Sequence, residues 1–216
     1  MSSITAVIPA YNEESTIGEI VTVLSKIKEI EKIIVVSDGS EDATAEEAEK
    51  AGAQVIELAE NIGKGGAMMA GVERAQSDII LFLDADLIGL TPAHVKSMID
   101  PVISDEVEMS IGIFEKGRLA TDLAQVVAPY LSGQRALRKE LLKALGDIED
   151  CGFGVEVALT KYAHDHHIKM KEVDLFGMTH IMKEEKMGLT KGLAARMKMY
   201  WEIAKMVGIG LKRDRE

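Results

Sequence analysis

The sequence predicts an α/β fold in which a mostly parallel β-sheet is covered by helices on both faces. Short runs rich in β-branched residues alternate with helix-length segments through the first half of the chain, a pattern typical of parallel sheets. These runs are apolar throughout, which indicates strands that are buried on both faces. Because no Pro- or Ser-rich linker interrupts the chain, we expect a single domain over residues 1–216.

The first half contains four predicted strands separated by three predicted helices. The strands are expected at residues 4–9, 32–37, 53–59 and 78–85, and the helices at 14–27, 42–52 and 63–76. The first helix has one apolar face, because its apolar residues recur three or four positions apart. These residues are Ile17, Ile20, Val21, Leu24 and Ile27.

The second half is less regular than the first. Strands are predicted at 107–114 and 168–177, and helices at 119–131, 135–146, 152–167 and 189–216. The last helix is amphipathic with a basic end, so contact with a membrane surface is one interpretation. Packing on the domain or on a second subunit is the favoured interpretation.

Composition excludes several classes of protein. The formal net charge of −11 argues against nucleic acid as the main partner, because phosphate binding requires a basic surface. The single cysteine, Cys151, rules out an internal disulfide. No uninterrupted apolar run is long enough for a transmembrane helix, and the N-terminus does not resemble a signal peptide. We therefore expect a cytoplasmic protein.

Four polar loops follow the first four strands. They read PAYNEE (9–14), SDGSEDAT (37–44), NIGKGGAMMAG (61–71) and DADLIG (84–89). Because the carboxyl ends of parallel strands meet at one edge of the sheet, these loops are expected to share a ligand site. Taken singly, the first three are equally explained as turns and helix starts.

The fourth loop raises a problem of charge. Asp84 and Asp86 end a buried strand one residue apart, and two close carboxylates repel each other. A divalent cation resolves the repulsion, since Mg²⁺ typically takes one or two carboxylates together with phosphate oxygens. The alternative is a pair of solvated loop acids.

Together, VIPAYNEE, VVSDGSEDAT, NIGKGGAMMAG and FLDAD resemble, in order and spacing, the donor half of family 2 glycosyltransferases. The resemblance covers residues 4–90 and implies the GT-A fold, a Rossmann-like sheet that binds a nucleotide-sugar. It divides the chain into a nucleotide-sugar-binding half (1–90) and an acceptor half (91–216). The implied donor-binding residues are Pro9, Ala10, Tyr11, Glu13, Asp38, Lys64, Asp84, Ala85 and Asp86.

The segment YLSGQRALRKELL (130–142) resembles the acceptor loop of the glucosyl-3-phosphoglycerate synthases. That resemblance implies acceptor contacts from the backbone of the loop and from two arginines that could bind a phosphate or carboxylate. On the residues alone, a basic surface face of an amphipathic helix is an equally good interpretation. The implied acceptor residues are Ser132, Gly133, Gln134, Arg135 and Arg138.

Two further positions gain a role from the same resemblance. GFGVE (152–156) is similar to a Gly-Tyr-Gly-x-Glu stretch of these synthases and of polyprenyl-phosphate sugar transferases, although Phe153 replaces the tyrosine. Glu156 would contact sugar hydroxyls or the acceptor; taken alone, it is a partner for the helix dipole. His180 would be a second metal ligand beside Asp86, whereas a lone histidine is usually structural.

The resemblance implies transfer of a hexose, expected to be glucose, from a UDP-sugar to a small phosphorylated acceptor such as 3-phosphoglycerate. Retention of configuration, a Mg²⁺ or Mn²⁺ cofactor and catalytic roles for Asp86, Glu156 and Lys64 are implied with it. A homodimer is compatible with the last helix. A polyprenyl- or dolichyl-phosphate acceptor is the first alternative. The second is a sugar nucleotidyltransferase, which the acids of PAYNEES disfavour.

Overall fold

The computed structural model describes residues 3–114, 131–144 and 155–180. Nearly all of the helix expected at 119–131, the whole helix expected at 189–216, Cys151 and Phe153 lie outside these residues. The described elements, in chain order, are β1 (Ile4–Ala10), α1 (Ile17–Leu24), β2 (Ile30–Asp38), α2 (Thr44–Lys50), β3 (Gln54–Leu58), α3 (Lys64–Arg74), β4 (Ile79–Phe82), β5 (Leu87–Ile88), α4 (Pro92–Ile103), β6 (Met109–Phe114), β7 (Arg135–Arg138), α5 (Lys139–Ala144), α6 (Val155–Asp165), β8 (Met170–Leu175) and β9 (Thr179–His180).

Seven strands form one mostly parallel sheet in the order β3-β2-β1-β4-β7-β6-β8. Strands β1 to β4 pair in parallel with one another, and β6 pairs in parallel with β8. Strand β7 runs antiparallel to both of its neighbours, β4 and β6. The sheet is therefore the predicted α/β sheet with one reversed strand near its middle.

Apolar side chains fill both faces of the sheet. Along β1, Ile8 belongs to a core cluster with α1 and α4, and Val7 belongs to a second cluster with α3 and α6. Successive side chains of a strand point to opposite faces, so one apolar strand supplies both clusters. This arrangement confirms the prediction of helices on both faces.

The structure corrects the predicted helix at 135–146. Residues Arg135–Arg138 form β7, and only Lys139–Ala144 is helical in the described part of that segment. Ala136 and Leu137 are both fully buried and lie in different core clusters, which a strand between two neighbours allows. Pairing on both sides overrode a local sequence that favours a helix.

The two short strands β5 and β9 and the helix α4 were not predicted from the sequence. Helix α4 did have a local signal, because Thr91 caps it through the His94 amide at 3.3 Å and Pro92 occupies its first turn. Within the described residues, no helix has the length and apolarity needed to cross a membrane.

Strand direction decides which side chains reach the edge where the parallel strands end. Because β7 is reversed, its first residue, Arg135, pairs with Phe82 at that edge. Its last residue, Arg138, pairs with Ile79 at the opposite edge.

Candidate active site

A cleft of about 740 Å³ opens at the carboxyl edge of strands β1, β2, β3 and β4. The loops that follow these strands form its walls, as expected for a parallel sheet. Every predicted donor-binding residue lines this cleft, so the four loops do share one site. The lining residues are Pro9, Ala10, Tyr11, Asn12, Glu13, Asp38, Asn61, Gly63, Lys64, Asp84, Ala85 and Asp86.

The loops after β1 and β2 are fastened to each other by hydrogen bonds. The Asn12 amide donates to Ser40 Oγ at 3.2 Å, and Asn12 Oδ1 accepts from the Glu41 amide at 2.9 Å. The Glu13 amide donates to Thr44 Oγ1 at 2.8 Å. Asn12 adopts a φ of 56°, a left-handed conformation that asparagine tolerates. The turn leaves Tyr11 48% exposed at the cleft.

Asp38 holds the loop after β3. Its side chain is buried, Oδ1 accepts the Ile62 amide at 2.8 Å, and Oδ2 accepts the Gly63 amide at 3.0 Å. Gly39 completes the contact with a φ of 68°, because a Cβ there would lie 2.6 Å from the Asn61 nitrogen. Asp38 therefore sets the start of α3 and the position of Lys64, a role that the sequence does not reveal.

Lys64 lies between two carboxylates from distant parts of the chain. Its Nζ is 2.6 Å from Asp84 Oδ1 and 2.5 Å from Glu156 Oε1. Burial acts to lower the pKa of Lys64, but the charges of Asp84 and Glu156 outweigh it and raise the pKa above its usual value. Lys64 is thus a firmly protonated cation in the cleft.

The segment Ser132–Gln134, here called the acceptor loop, packs against the donor loops. Gln134 Nε2 donates to Asp84 Oδ2 at 3.0 Å, so each Asp84 oxygen has its own partner. A Cβ at Gly133 would lie 2.7 Å from both Asp84 Oδ2 and Lys64 Nζ. Any larger residue here would force the Asp84 and Lys64 side chains to move, so Gly133 lets the acceptor half pack directly against this ion pair.

Asp86 and His180 come together through the two-stranded sheet of β5 and β9. Leu87, the residue after Asp86, pairs with His180 in antiparallel register. The preceding turn is anchored by Thr16 Oγ1, which donates to the Ala85 carbonyl at 2.6 Å. Strand pairing therefore places the backbone of His180 opposite the residue that follows Asp86.

This donor set is chemically suited to a divalent metal. Mg²⁺ and Mn²⁺ accept carboxylate, phosphate and water oxygens, and imidazole ligates several of the transition metals. Among the residues that the structure describes, no group of three or more His, Cys, Asp or Glu side chains forms a ready metal cluster. A metal held by Asp86 and His180 would thus need further ligands from a bound diphosphate or water.

The resemblance implied that both acceptor arginines contact the acceptor, but neither of them lines the cleft. Arg135 is fully buried; its Nε donates to the Ser132 carbonyl at 2.8 Å, and its Nη1 donates to Thr160 Oγ1 at 2.7 Å. Burial lowers the pKa of Arg135 to about 10, although the nearby charges of Glu156 and Asp84 oppose this shift.

Arg138 requires a correction, because the direction of β7 carries it to the opposite edge of the sheet. There its Nη2 donates to the Val102 carbonyl at 3.1 Å and pairs with Asp105. Of the predicted acceptor residues, Gly133 and Gln134 approach Asp84 of the cleft, and Ser132 precedes them in the same loop.

The sequence of the chain is similar to those of known proteins. Residues 5–161 match the family described as glycosyl transferase family 2. An uncharacterized protein of Methanocaldococcus jannaschii is 32% identical over 194 residues, which cover 78% of this chain and 79% of that protein. Glucosyl-3-phosphoglycerate synthase of Mycobacterium tuberculosis is 28% identical over 195 residues. That match covers 73% of this chain but only 59% of the synthase.

The fold of a solved structure is also similar. The M. tuberculosis synthase in complex with Mn²⁺, uridine diphosphate and glucosyl-3-phosphoglycerate aligns with a TM-score of 0.76 at 25% identity. The alignment covers 94% of this chain and 77% of the synthase chain. The sheet has the GT-A fold expected from the loop sequences, and the chain belongs to glycosyl transferase family 2.

Proposed function

We propose that the protein transfers a glucosyl group from UDP-glucose to a small phosphorylated acceptor such as 3-phosphoglycerate. The observation that carries the proposal is the cleft itself, in which the predicted donor residues meet a lysine held between two carboxylates. The similarity to a synthase crystallised with Mn²⁺, UDP and its glucosylated product supports this donor and this acceptor class.

The nucleoside would lie against the loop after β1. Pro9, Ala10 and the exposed ring of Tyr11 offer an apolar wall, and Asp38 lies at the end of the neighbouring strand. Both Asp38 oxygens already accept a backbone amide, but a carboxylate oxygen can accept more than one hydrogen bond. Asp38 can therefore fix the loop and still accept a bond from the base or ribose.

Asp86 and His180 would hold Mg²⁺ or Mn²⁺ together with oxygens of the diphosphate. When bound, the metal supplies positive charge that stabilises the departing diphosphate. Asp84 has a different task in this proposal, because Lys64 and Gln134 already engage its two oxygens. It would orient the lysine and the sugar.

Lys64 would stabilise the leaving group directly. An ammonium group has three N–H donors, and the two described ion pairs engage two of them. The third can donate to a diphosphate oxygen within the cleft. A preorganised charge of this kind typically contributes about 10²- to 10³-fold to turnover.

Retention requires no nucleophile from the protein in this proposal. The acceptor hydroxyl oxygen forms the new bond to the anomeric carbon on the side from which the diphosphate leaves. The carbon–oxygen bond to the diphosphate breaks, and a diphosphate oxygen takes the proton of the hydroxyl group. Glu156 and the acceptor loop, which adjoin Lys64, would orient the acceptor for this step.

The test is incubation with UDP-glucose and Mn²⁺ in the presence of 3-phosphoglycerate, undecaprenyl phosphate or no acceptor. We expect UDP release and a glucosylated product, identified by mass spectrometry, with 3-phosphoglycerate. Asp86→Ala should abolish the Mn²⁺-dependent release, whereas Asp165→Ala, an exposed residue paired with Lys161, should not change it.

Other outcomes assign other functions. Turnover with undecaprenyl phosphate but not with 3-phosphoglycerate would show that the acceptor is a lipid phosphate. Pyrophosphate release from UTP and glucose 1-phosphate, without transfer from UDP-glucose, would identify a nucleotidyltransferase. Metal-dependent transfer by Asp86→Ala would contradict the proposed metal site.

A further inference from the structure

A fully buried arginine lies behind the cleft at the start of β7. We propose that Arg135 is a positioning residue that ties the acceptor loop to helix α6 and thereby places Glu156 beside Lys64. It would act from behind the cleft and not as a ligand of the acceptor. The catalytic consequence rests on the proposed function, whereas the structural link does not.

The first part of the argument is the reach of the guanidinium group. Arg135 Nε donates to the carbonyl of Ser132 at 2.8 Å, and Nη1 donates to Thr160 Oγ1 at 2.7 Å. A planar guanidinium presents donors in fixed directions, so it can hold a loop and a helix at the same time. Lysine, with one point charge on a flexible stem, cannot reproduce that geometry.

The second part is the connection from Thr160 to Glu156. Thr160 Oγ1 accepts from Arg135 and donates to the Glu156 carbonyl at 3.0 Å, one helical turn away. The Glu156 side chain then contacts Lys64 at 2.5 Å. A continuous path of hydrogen bonds therefore runs from the acceptor loop through Arg135 and Thr160 to the first turn of α6.

The third part is charge. Asp84 and Glu156 share Lys64, and both carboxylates interact electrostatically with the buried guanidinium. Burying a charge is costly, and an apolar residue of similar size often serves stability as well or better. The presence of Arg135 on a central strand is explained if its charge and the fixed directions of its N–H donors are needed to hold the two carboxylates.

The consequence is selective for the acceptor side. The described contacts of Arg135 reach the acceptor loop and α6, while the nucleoside wall formed by Pro9, Ala10 and Tyr11 belongs to the loop after β1. Breaking the link should misplace Glu156 and the acceptor loop, whereas the nucleoside wall keeps its own contacts, so acceptor use should fall far more than UDP binding.

The experiment uses the full chain and four variants. Arg135→Lys and Thr160→Val break the link, and Thr160→Ser conserves the hydroxyl group. Arg138→Lys is the matched control on the same strand, because Arg138 lies at the opposite edge of the sheet. Variant folding is checked by circular dichroism and thermal unfolding.

The first measurement is hydrogen exchange by mass spectrometry, which requires no knowledge of the substrate. We expect peptides covering 131–134 and 155–160 to exchange on the order of tenfold faster in Arg135→Lys and Thr160→Val. Thr160→Ser and Arg138→Lys should match the wild type. Unchanged exchange in both link-breaking variants would overturn the proposal.

The second measurement separates donor binding from acceptor use. With UDP-glucose and 3-phosphoglycerate, kcat/KM for the acceptor should fall by about 10²-fold in both link-breaking variants, because small misplacements at a reacting centre have effects of that size. The Kd of UDP with Mn²⁺, measured by calorimetry, should stay within about twofold of the wild type. Thr160→Ser should retain transfer.

Two results would assign Arg135 a different role. An acceptor-binding arginine would raise the acceptor KM in Arg135→Lys while Thr160→Val behaved as the wild type. If the role of Arg135 were merely structural, its replacement would weaken UDP binding and transfer equally.

If Arg135→Lys does not fold, Thr160→Val decides between these roles. If the wild type transfers to none of the acceptors, the proposed function fails, and the exchange experiment still decides whether the link exists.

Discussion

Lys64 joins the two halves of the chain through one ammonium group. Its Nζ contacts Asp84 from the donor half and Glu156 from the acceptor half, which are 72 residues apart in the printed sequence. The residue begins α3, and Asp38 fixes the preceding turn through the amides of Ile62 and Gly63. The position of this cation thus depends on three separate segments of the chain.

Replacing Lys64 with methionine should remove the cation while keeping the length of the side chain. We expect transfer from UDP-glucose, followed by UDP release, to fall by about 10²- to 10³-fold. Lys50→Met is the control, because Lys50 forms only exposed ion pairs with Glu46 and Glu47. A similar loss in both variants would contradict a specific role for Lys64.

The raised pKa of Lys64 gives a second expectation for the same variant. A lysine with a raised folded-state pKa contributes stability that is fully present below its unfolded value and is lost only as the pH passes the folded value. The difference in unfolding free energy between wild type and Lys64→Met should therefore stay constant from about pH 7 to about pH 10. Urea denaturation measures it, and a steady decline over that range would contradict the ion pairs.

At the scale of elements, the small sheet of β5 and β9 brings the backbone next to Asp86 against that of His180. Gly89 and Gly177 flank this pairing with φ values of 79° and 74°. A Cβ at Gly89 would lie 3.0 Å from the Gly177 carbonyl oxygen, whereas a Cβ at Gly177 would meet open space among the described atoms. Gly89 is therefore needed both for its backbone conformation and for a close approach.

Comparing Gly89→Ala with Gly177→Ala separates these two effects. Each substitution places an alanine in the left-handed backbone conformation, which costs about 1–2 kcal/mol of stability. Only Gly89→Ala should also displace β5 from β9 and weaken the Mn²⁺ dependence of UDP binding, measured by titration calorimetry. Equal metal dependence in the two variants would show that the strand pairing does not position the metal ligands.

At the scale of the whole molecule, the donor should stabilise the fold, because the cleft draws on loops after four strands. UDP with Mn²⁺ at about 100 times its Kd should add about 2.7 kcal/mol to the unfolding free energy. For a domain of this size, that corresponds to a rise in Tm of about 5–11 °C. EDTA or Asp86→Ala should remove most of the rise, as measured by scanning calorimetry, and Asp165→Ala should not. A rise that EDTA leaves unchanged would argue against metal-assisted donor binding.

The sequence alone determined the features that depend on neighbouring residues. Buried strands are recognisable as local apolar runs, and parallel strands bring the loops that follow them to one edge, so the cleft and most of the residues that line it were predictable. The resemblance of those loops to a known family predicted the GT-A fold and the family that the comparisons then gave. The roles of the individual site residues remain predictions that the experiments above test.

Only the tertiary structure decided the features that depend on distant partners. Residues 135–138 have a helix-like local sequence, but β4 and β6 on either side make them a strand, and its direction sends Arg135 and Arg138 to opposite edges. The amides that Asp38 binds and the two carboxylates around Lys64 are likewise set by packing between segments. A local pattern reports how one segment buries its own surface, whereas charge pairs and strand order arise when separate segments bury surface against each other.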